Sequence, residues 1–109
     1  MANTFKNGYV NLGTSNSDIV PAASVTGTGI VLTLRCTNVD GSSAATVTVE
    51  VVDGSSGDAK IASTLNVPAN STVELAGASK LVLESGDKIQ GLASASGDIE
   101  VFVSWLHIT

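Results

Sequence analysis

Short apolar runs alternate with clusters of glycine, asparagine, aspartate and serine along the whole chain. In residues 29–38 an apolar side chain occupies every second position, which predicts a strand with one buried face. This period of two places Ile30, Leu32, Leu34 and Cys36 on the buried face. No segment sustains the 3.6-residue apolar period of a helix, so we expect any helix to be a single turn.

The next strand is predicted at residues 45–52, where Val47, Val49 and Val51 alternate with polar side chains. The tetrapeptide Asp-Gly-Ser-Ser precedes this strand at 40–43 and follows it at 53–56. Aspartate and glycine favour the backbone conformations of tight turns. The repeated tetrapeptide therefore predicts two hairpin turns of a β-meander.

Turn residues at intervals of about 8–12 residues define several more strands. They are predicted at 18–20, 59–67, 72–75, 80–83, 88–92 and 99–108. Seven to eight short strands of this kind indicate an all-β antiparallel sandwich, either Ig-like or a small jelly roll.

Residues 1–16 are polar and contain few apolar anchors, which suggests a flexible N-terminal arm or a loosely held first strand. The predicted organisation is an arm at 1–16 followed by one sandwich domain at 17–109. We expect no signal peptide, because the N-terminus lacks an apolar segment.

The composition argues against binding to nucleic acid or to an anionic membrane. The net charge is −5, and the five basic residues are scattered along the 109-residue chain. Contact with phosphates requires clustered basic side chains, so we expect neither partner. Cys36 is the single cysteine and is expected to be a small buried core residue.

Candidate catalytic and metal-binding residues give weak signals. His107 is the sole histidine, and with no Gly-x-Ser-x-Gly motif present it is expected to be partly exposed or at an interface. Asp53 and Asp58 flank a loop without calcium-site spacing, and Glu84 and Asp87 flank Gly86. We interpret these carboxylates as turn residues, and expect no enzyme activity, no cofactor and no metal.

The last predicted strand, 99–108, is apolar on both faces. Phe102 and Trp105 lie on opposite faces, so one is expected in the core and the other at an interface. A two-faced apolar strand invites contact with another chain. The candidate interface residues are Phe5, Tyr9, Phe102, Trp105 and His107.

The order of these segments resembles that of small β-sandwich virion structural proteins of tailed bacteriophages. The resemblance extends over nearly the full length of the chain. It rests on the opening segment 1–7, Gly13-Thr14-Ser15, a strand ending near Asn38, the valine-rich strand 47–52, Val67-Pro68-Ala69, the segment 80–89 and the last strand 99–108. The ending Trp105-Leu106-His107 is bulkier and more polar than is usual in that group.

The resemblance implies a non-enzymatic virion protein present in many copies. We expect a capsid decoration (cement) protein that stabilises the major capsid protein shell as a homo-oligomer, with a trimer favoured. A neck, collar or tail-associated virion protein is the nearest alternative. A carbohydrate-binding adhesion module, with aromatic and carboxylate side chains clustered near Trp105 and the Asp-Gly-Ser-Ser turns, is the alternative from another class.

Overall fold

The computed structural model describes residues 2–55, 57–76 and 80–109, which form nine strands and one turn of 3₁₀ helix at Ala22–Ser24. The strands are β1 (Asn3–Asn11), β2 (Ser17–Val20), β3 (Thr28–Asn38), β4 (Ala45–Asp53), β5 (Gly57–Val67), β6 (Thr72–Glu74), β7 (Leu81–Leu83), β8 (Lys88–Ala93) and β9 (Ile99–Ile108). All the pairings between them are antiparallel. The predicted all-β sandwich is confirmed.

The described strands form two sheets that pack face to face. The five-stranded sheet has the order β1-β9-β3-β6, with β7 also paired to β3, and the four-stranded sheet has the order β2-β8-β4-β5. Apolar side chains from both sheets meet between them and exclude water. The largest fully buried side chains are Leu12, Leu34, Leu83, Ile89 and Ile99. Among the described residues, no helix has the length and apolar character needed to cross a membrane.

Most of the segment predicted as an arm is an edge strand. β1 pairs with β9 over nine consecutive residues, from Asn3 opposite Ile108 to Asn11 opposite Glu100. Of the two interpretations of residues 1–16, a flexible arm or a first strand, the structure shows a strand. It raises the number of strands from the predicted seven or eight to nine, while Met1 lies outside the described residues.

The two Asp-Gly-Ser-Ser segments have different topological roles, contrary to the predicted meander. The segment at 40–43 connects β3 to β4, which belong to different sheets. The segment at 53–56 joins β4 to its neighbour β5 in a hairpin. The turn type constrains the local backbone, but which strands then pair depends on contacts distant in sequence.

The turn chemistry of both tetrapeptides is confirmed for the residues described, which exclude Ser56. Asp40 Oδ1 accepts hydrogen bonds from the backbone N–H groups of Ser42 (2.8 Å) and Ser43 (3.1 Å). Asp53 Oδ1 accepts from the backbone N–H (2.9 Å) and the hydroxyl (3.0 Å) of Ser55. These are the short-range bonds with which aspartate closes turns.

A β-bulge in β3 changes the predicted buried face of that strand. Val31 lies opposite Trp105 and Thr33 lies opposite Ser104, so Leu32 is an extra residue in the ladder. The bulge reverses the inward and outward positions on its N-terminal side. Val31 therefore enters the core with Leu34 and Cys36, and the prediction that Ile30 and Leu32 share this face is wrong.

Asn38, at the end of β3, connects the two sheets through hydrogen bonds of its side chain. Its side chain is fully buried. Its Nδ2 donates to the carbonyl oxygens of Ser43 (3.0 Å) and Val67 (2.9 Å), and its Oδ1 accepts from the backbone N–H of Asp40 (2.9 Å). A buried backbone group that is left without a partner raises the free energy of the folded state.

We expect Asn38→Ala to lower the free energy of unfolding by at least about 2 kcal/mol, because it removes three hydrogen bonds, one of them to the carbonyl of buried Val67. The matched control is Asn66→Ala on the exposed part of β5, for which a change within about 0.5 kcal/mol is expected. Urea unfolding followed by circular dichroism measures both values. Equal effects of the two substitutions would contradict this role of Asn38.

Candidate interaction surface

β9 has hydrogen-bonded neighbours on both sides, β1 and β3. The two-faced apolar strand is therefore interior to its sheet and does not lie at an edge. The odd-numbered positions face the core, where Ile99, Val101 and Val103 are at most 1% exposed. The even-numbered positions face outward and include Phe102. The outward apolar side chains of β9 are thus displayed at the middle of a broad sheet.

A row of apolar side chains crosses the outer face of the five-stranded sheet. Leu106 on β9 lies opposite Phe5 on β1 and opposite Ile30 on β3, and Ile30 lies opposite Val82 on β7. Opposite residues of antiparallel strands point to the same face. Phe5 is 76% exposed and Val82 62% exposed, while Leu106 and Ile30 are half-buried. We call these four residues the apolar row.

A second row, parallel to the first, combines aromatic and charged side chains. Phe102 lies opposite Tyr9 on one side and Arg35 on the other, and Arg35 lies opposite Glu74. The Tyr9 hydroxyl donates to Glu100 Oε2 over 3.4 Å. Arg35 Nε lies 3.9 Å from Glu74 Oε1. The charged groups of this face thus lie beside partners on the face itself.

Three of the five predicted interface residues lie on this outer face. Phe5 is 76%, Tyr9 62% and Phe102 43% exposed. The interface prediction for Trp105 and His107 is wrong, because both side chains are buried against the core side of the same sheet. The sequence predicts that one of Phe102 and Trp105 lies in the core and the other at the surface. The structure has Trp105 in the core and Phe102 on the outer face. Trp105 shares its face of β9 with Val101 and Val103, which also pack in the core.

Trp105 and His107 form a buried ring pair at one end of the sandwich. Their ring centroids lie 5.1 Å apart with an interplanar angle of 60°. The backbone N–H of Thr26 donates to His107 Nε2 over 3.2 Å. Lys6 Nζ lies 5.3 Å from the Trp105 ring centroid, within cation–π range. The pair is a structural element of the core.

The outer face of the four-stranded sheet is polar. A row of four side chains in register crosses its strands: Asp18, Gln90, Glu50 and Lys60. Glu50 Oε1 accepts from Lys60 Nζ over 3.0 Å, and the other carboxylate oxygen accepts from the amide of Gln90. The hydrogen bond from Gln90, followed by that from Lys60, lowers the pKa of Glu50 below its ordinary value of 4.5. The two outer faces of the sandwich therefore differ in chemistry.

Three carboxylates come together where the β4–β5 and β7–β8 loops meet. Oxygens of Asp53, Glu84 and Asp87 lie within 4.8 Å of one another. Asp87 is buried and accepts hydrogen bonds from the backbone N–H groups of Gly54 (3.0 Å) and Glu84 (2.9 Å). Its carboxylate joins the two loops, which agrees with its interpretation as a turn residue.

Two further predicted residues occupy structural positions. Cys36 is fully buried in the core, as predicted, and burial raises the pKa of its thiol to about 12. Such a thiol is a poor nucleophile near neutral pH. At the β3–β4 turn, the hydrogen bonds from the Ser42 and Ser43 backbone N–H groups lower the pKa of Asp40.

The bonds made by Glu50 predict a pH-dependent contribution to stability. Because the folded state lowers its pKa, ionised Glu50 stabilises the protein above pH 4.5, and this contribution disappears as the pH falls through the lowered value. We expect the difference in urea midpoint between wild type and Glu50→Gln to shrink as the solution is acidified. Gln90→Ala, which removes the main cause of the shift, should weaken the same pH dependence. A pH-independent difference would contradict this role of Glu50.

Comparisons with known proteins identify the fold of this chain. No protein-family model and no curated protein matches it. Among solved structures it is similar to one described as "Bacillus endospore appendages form a novel family of disulfide-linked pili". The two share 12% sequence identity with a TM-score of 0.55, and the alignment covers 97% of this chain and 86% of the other. At this identity the likeness establishes a shared fold.

Proposed function

We propose that this protein is a structural subunit without enzymatic activity, which packs against other proteins through the outer face of its five-stranded sheet. The apolar row is the observation that carries this proposal. It places apolar side chains on four adjacent strands, with Phe5 and Val82 largely exposed. A contiguous apolar surface of this kind is typical of protein interaction sites.

The energetics of this face favour burial against a partner. Removing an exposed Phe or Val side chain from water contributes roughly 1.5–3 kcal/mol for each residue that becomes fully buried. The outward charged groups of this sheet, Arg35, Glu74 and Glu100, already have polar neighbours. They are separated from the apolar row by a row of polar side chains, Asn7, Ser104 and Thr33. On this side the apolar row is bordered by polar side chains, as in the polar rim of stable interfaces.

The particular assembly that we propose is the virion of a tailed bacteriophage, in which the protein decorates and stabilises the capsid by binding the major capsid protein. The resemblance in segment order and the sandwich with an apolar outer face support this role. A neck, collar or tail-associated position is the nearest variant. The similar solved structure is described as a pilus, so the same fold serves as an assembly subunit in that protein.

Contacts between copies or partners are proposed to be non-covalent. The similar pili are described as disulfide-linked. In this chain the single cysteine, Cys36, is fully buried, and burial raises the pKa of its thiol to about 12. Disulfide exchange requires an accessible thiolate. Burial of apolar side chains and backbone hydrogen bonding are the non-covalent interactions that we propose for this sheet.

A carbohydrate-binding module is the second candidate function. Tyr9 and Phe102 lie side by side on the outer face, and Glu100 accepts the Tyr9 hydroxyl bond. Exposed aromatic rings beside a carboxylate suit sugar recognition. The sequence predicts such a cluster near Trp105, whereas these side chains lie on the opposite face of the five-stranded sheet from Trp105. Specific glycan binding that Tyr9→Ala abolishes would favour the module over the structural subunit.

Mass spectrometry of purified virions, produced from the genome that encodes this chain, tests the virion role. We expect the protein in the particle at hundreds of copies, as a decorated shell requires. About a dozen copies would favour the neck or portal region instead. Absence from the particle would overturn the virion proposal.

Binding of the purified protein to undecorated capsids tests the outer face itself. Val82→Asp introduces a carboxylate into the apolar row, and we expect capsid affinity to fall at least about tenfold, which corresponds to roughly 1.4 kcal/mol. Asn66→Asp adds the same charge to exposed β5 of the other sheet and should leave affinity nearly unchanged. Equal losses would indicate a general charge effect and contradict the proposed surface.

A further inference from the structure

The edges of the two sheets differ in how well they are protected against pairing with another chain. β2 and β5 contain register shifts, and Thr64 in β5 has a positive φ of 45°. β6 and β7 have three residues each. Short or irregular edge strands discourage pairing. Among the described strands, β1 is the edge strand with nine consecutive residues in regular register.

The hydrogen bonds at the ends of β1 determine which of its backbone groups point outward. Ala2 and Thr109 exchange two hydrogen bonds (3.1 and 2.9 Å), and the Leu12 N–H donates to the Ile99 carbonyl over 2.9 Å. Hydrogen-bonded positions alternate in an antiparallel ladder. Even-numbered residues of β1 therefore bond to β9. The N–H and C=O groups of odd-numbered residues 3–11 point away from β9, toward the free edge.

We propose that β1 pairs antiparallel with β1 of a second copy, about a two-fold axis at Asn7. The inference rests on the proposed function, since it specifies how a structural subunit associates with itself. Outward-pointing groups of odd residues then meet those of the second copy. Asn7 pairs with Asn7, and the pairing extends over all nine residues of the strand.

The side chains of β1 are complementary to themselves in this register. Phe5 lies opposite Tyr9 of the second copy, and this aromatic pair occurs twice in the dimer. Lys6 lies opposite Gly8 of the second copy, so its charge meets no other lysine. Centring the axis on Lys6 instead would place two lysines directly opposite each other, which is destabilising. Centring it on Gly8 would separate Phe5 from Tyr9 and shorten the overlap.

The proposed pairing also enlarges the surface assigned to assembly. A two-fold axis perpendicular to the sheet leaves both outer faces on the same side. The apolar rows of the two copies then belong to one continuous face, because Phe5 ends the row at the strand where the copies meet. The predicted state is a dimer, in place of the trimer favoured from the sequence. A partner shell would contact both copies at once.

Two variants with opposite charges at position 7 test the register. We expect wild-type protein to sediment with twice the 10.9 kDa mass of the chain. Asn7→Lys and Asn7→Glu each place like charges on the two-fold axis, so each should weaken dimerisation at least tenfold, and an equimolar mixture should restore a dimer. Asn3→Lys is the matched control, because it lies opposite Asn11 and should have little effect.

Three results would overturn this proposal. They are a monomeric wild type at high micromolar concentration, a trimeric mass, and dimerisation of Asn7→Lys with wild-type affinity. Each leaves the capsid-binding test with Val82→Asp unaffected, because Val82 lies on β7 at the other side of the sheet. Failure of the dimer and failure of the proposed function are therefore separately observable.

Crosslinking gives an independent measure of the same register. The Cα atoms of a hydrogen-bonded antiparallel pair lie about 5.5 Å apart, within the range for a disulfide. Asn7→Cys should therefore form a crosslinked dimer on mild oxidation, and Asn3→Cys should not. Cys36 is fully buried, so it does not compete. Equal crosslinking of both variants would contradict the two-fold axis at Asn7.

Discussion

Pairing of β9 on both of its edges is the constraint on which the five-stranded sheet depends. β1 and β3 are joined to each other through this strand, which pairs with β3 from Thr28 to Asn38. Its odd-numbered side chains supply Ile99, Val101 and Val103 to the core. Because side chains alternate, its even-numbered positions must face outward whatever their chemistry. The apolar outer face is thus a direct consequence of placing a two-faced apolar strand in the interior of a sheet.

The bulge in β3 completes that face. In an unbroken ladder, the alternation that buries Leu34 and Cys36 would also bury Ile30. The extra residue Leu32 reverses the phase, so Val31 packs in the core and Ile30 joins the apolar row. The Glu74 carboxylate accepts the backbone N–H of Leu34 over 2.7 Å, just beyond the bulge. One inserted residue therefore places Val31 in the core and Ile30 on the outer face.

The contrast between the two outer faces links stability to the proposed function. On the four-stranded sheet, Glu50 joins Lys60 and Gln90 in a hydrogen-bonded row. On the five-stranded sheet, aromatic and aliphatic side chains occupy the corresponding central positions. At the tips, Asp40 accepts hydrogen bonds from backbone N–H groups of its own loop, and Asp87 accepts one from its own loop and one from the β4–β5 loop. Charged groups thus stabilise turns and the outer face of the four-stranded sheet, while the apolar row lies on the other outer face, which is the surface that we propose for contact with proteins.

The sequence by itself determined the strands and turns of this protein. The alternation in residues 45–52 predicted β4, and the Asp-Gly-Ser-Ser segments predicted turns, because a two-residue period and an aspartate-capped turn are local properties. The burial of Cys36 also agrees with the prediction made from sequence.

Only the tertiary structure decided which strands are neighbours, and several properties depend on that choice. Alternation separates two faces but does not say which one is buried when both are apolar. The sequence therefore predicts an interface position for Trp105 and His107, which pack inside. The alternation within β3 also does not reveal the bulge at Leu32, because a residue is extra only relative to the strand with which it pairs. The strand at residues 3–11 has few apolar residues and is held by β9, about 90 residues away in sequence. Pairing over such a distance is a property of the assembled sheet, so residues near β1 in sequence could not reveal it.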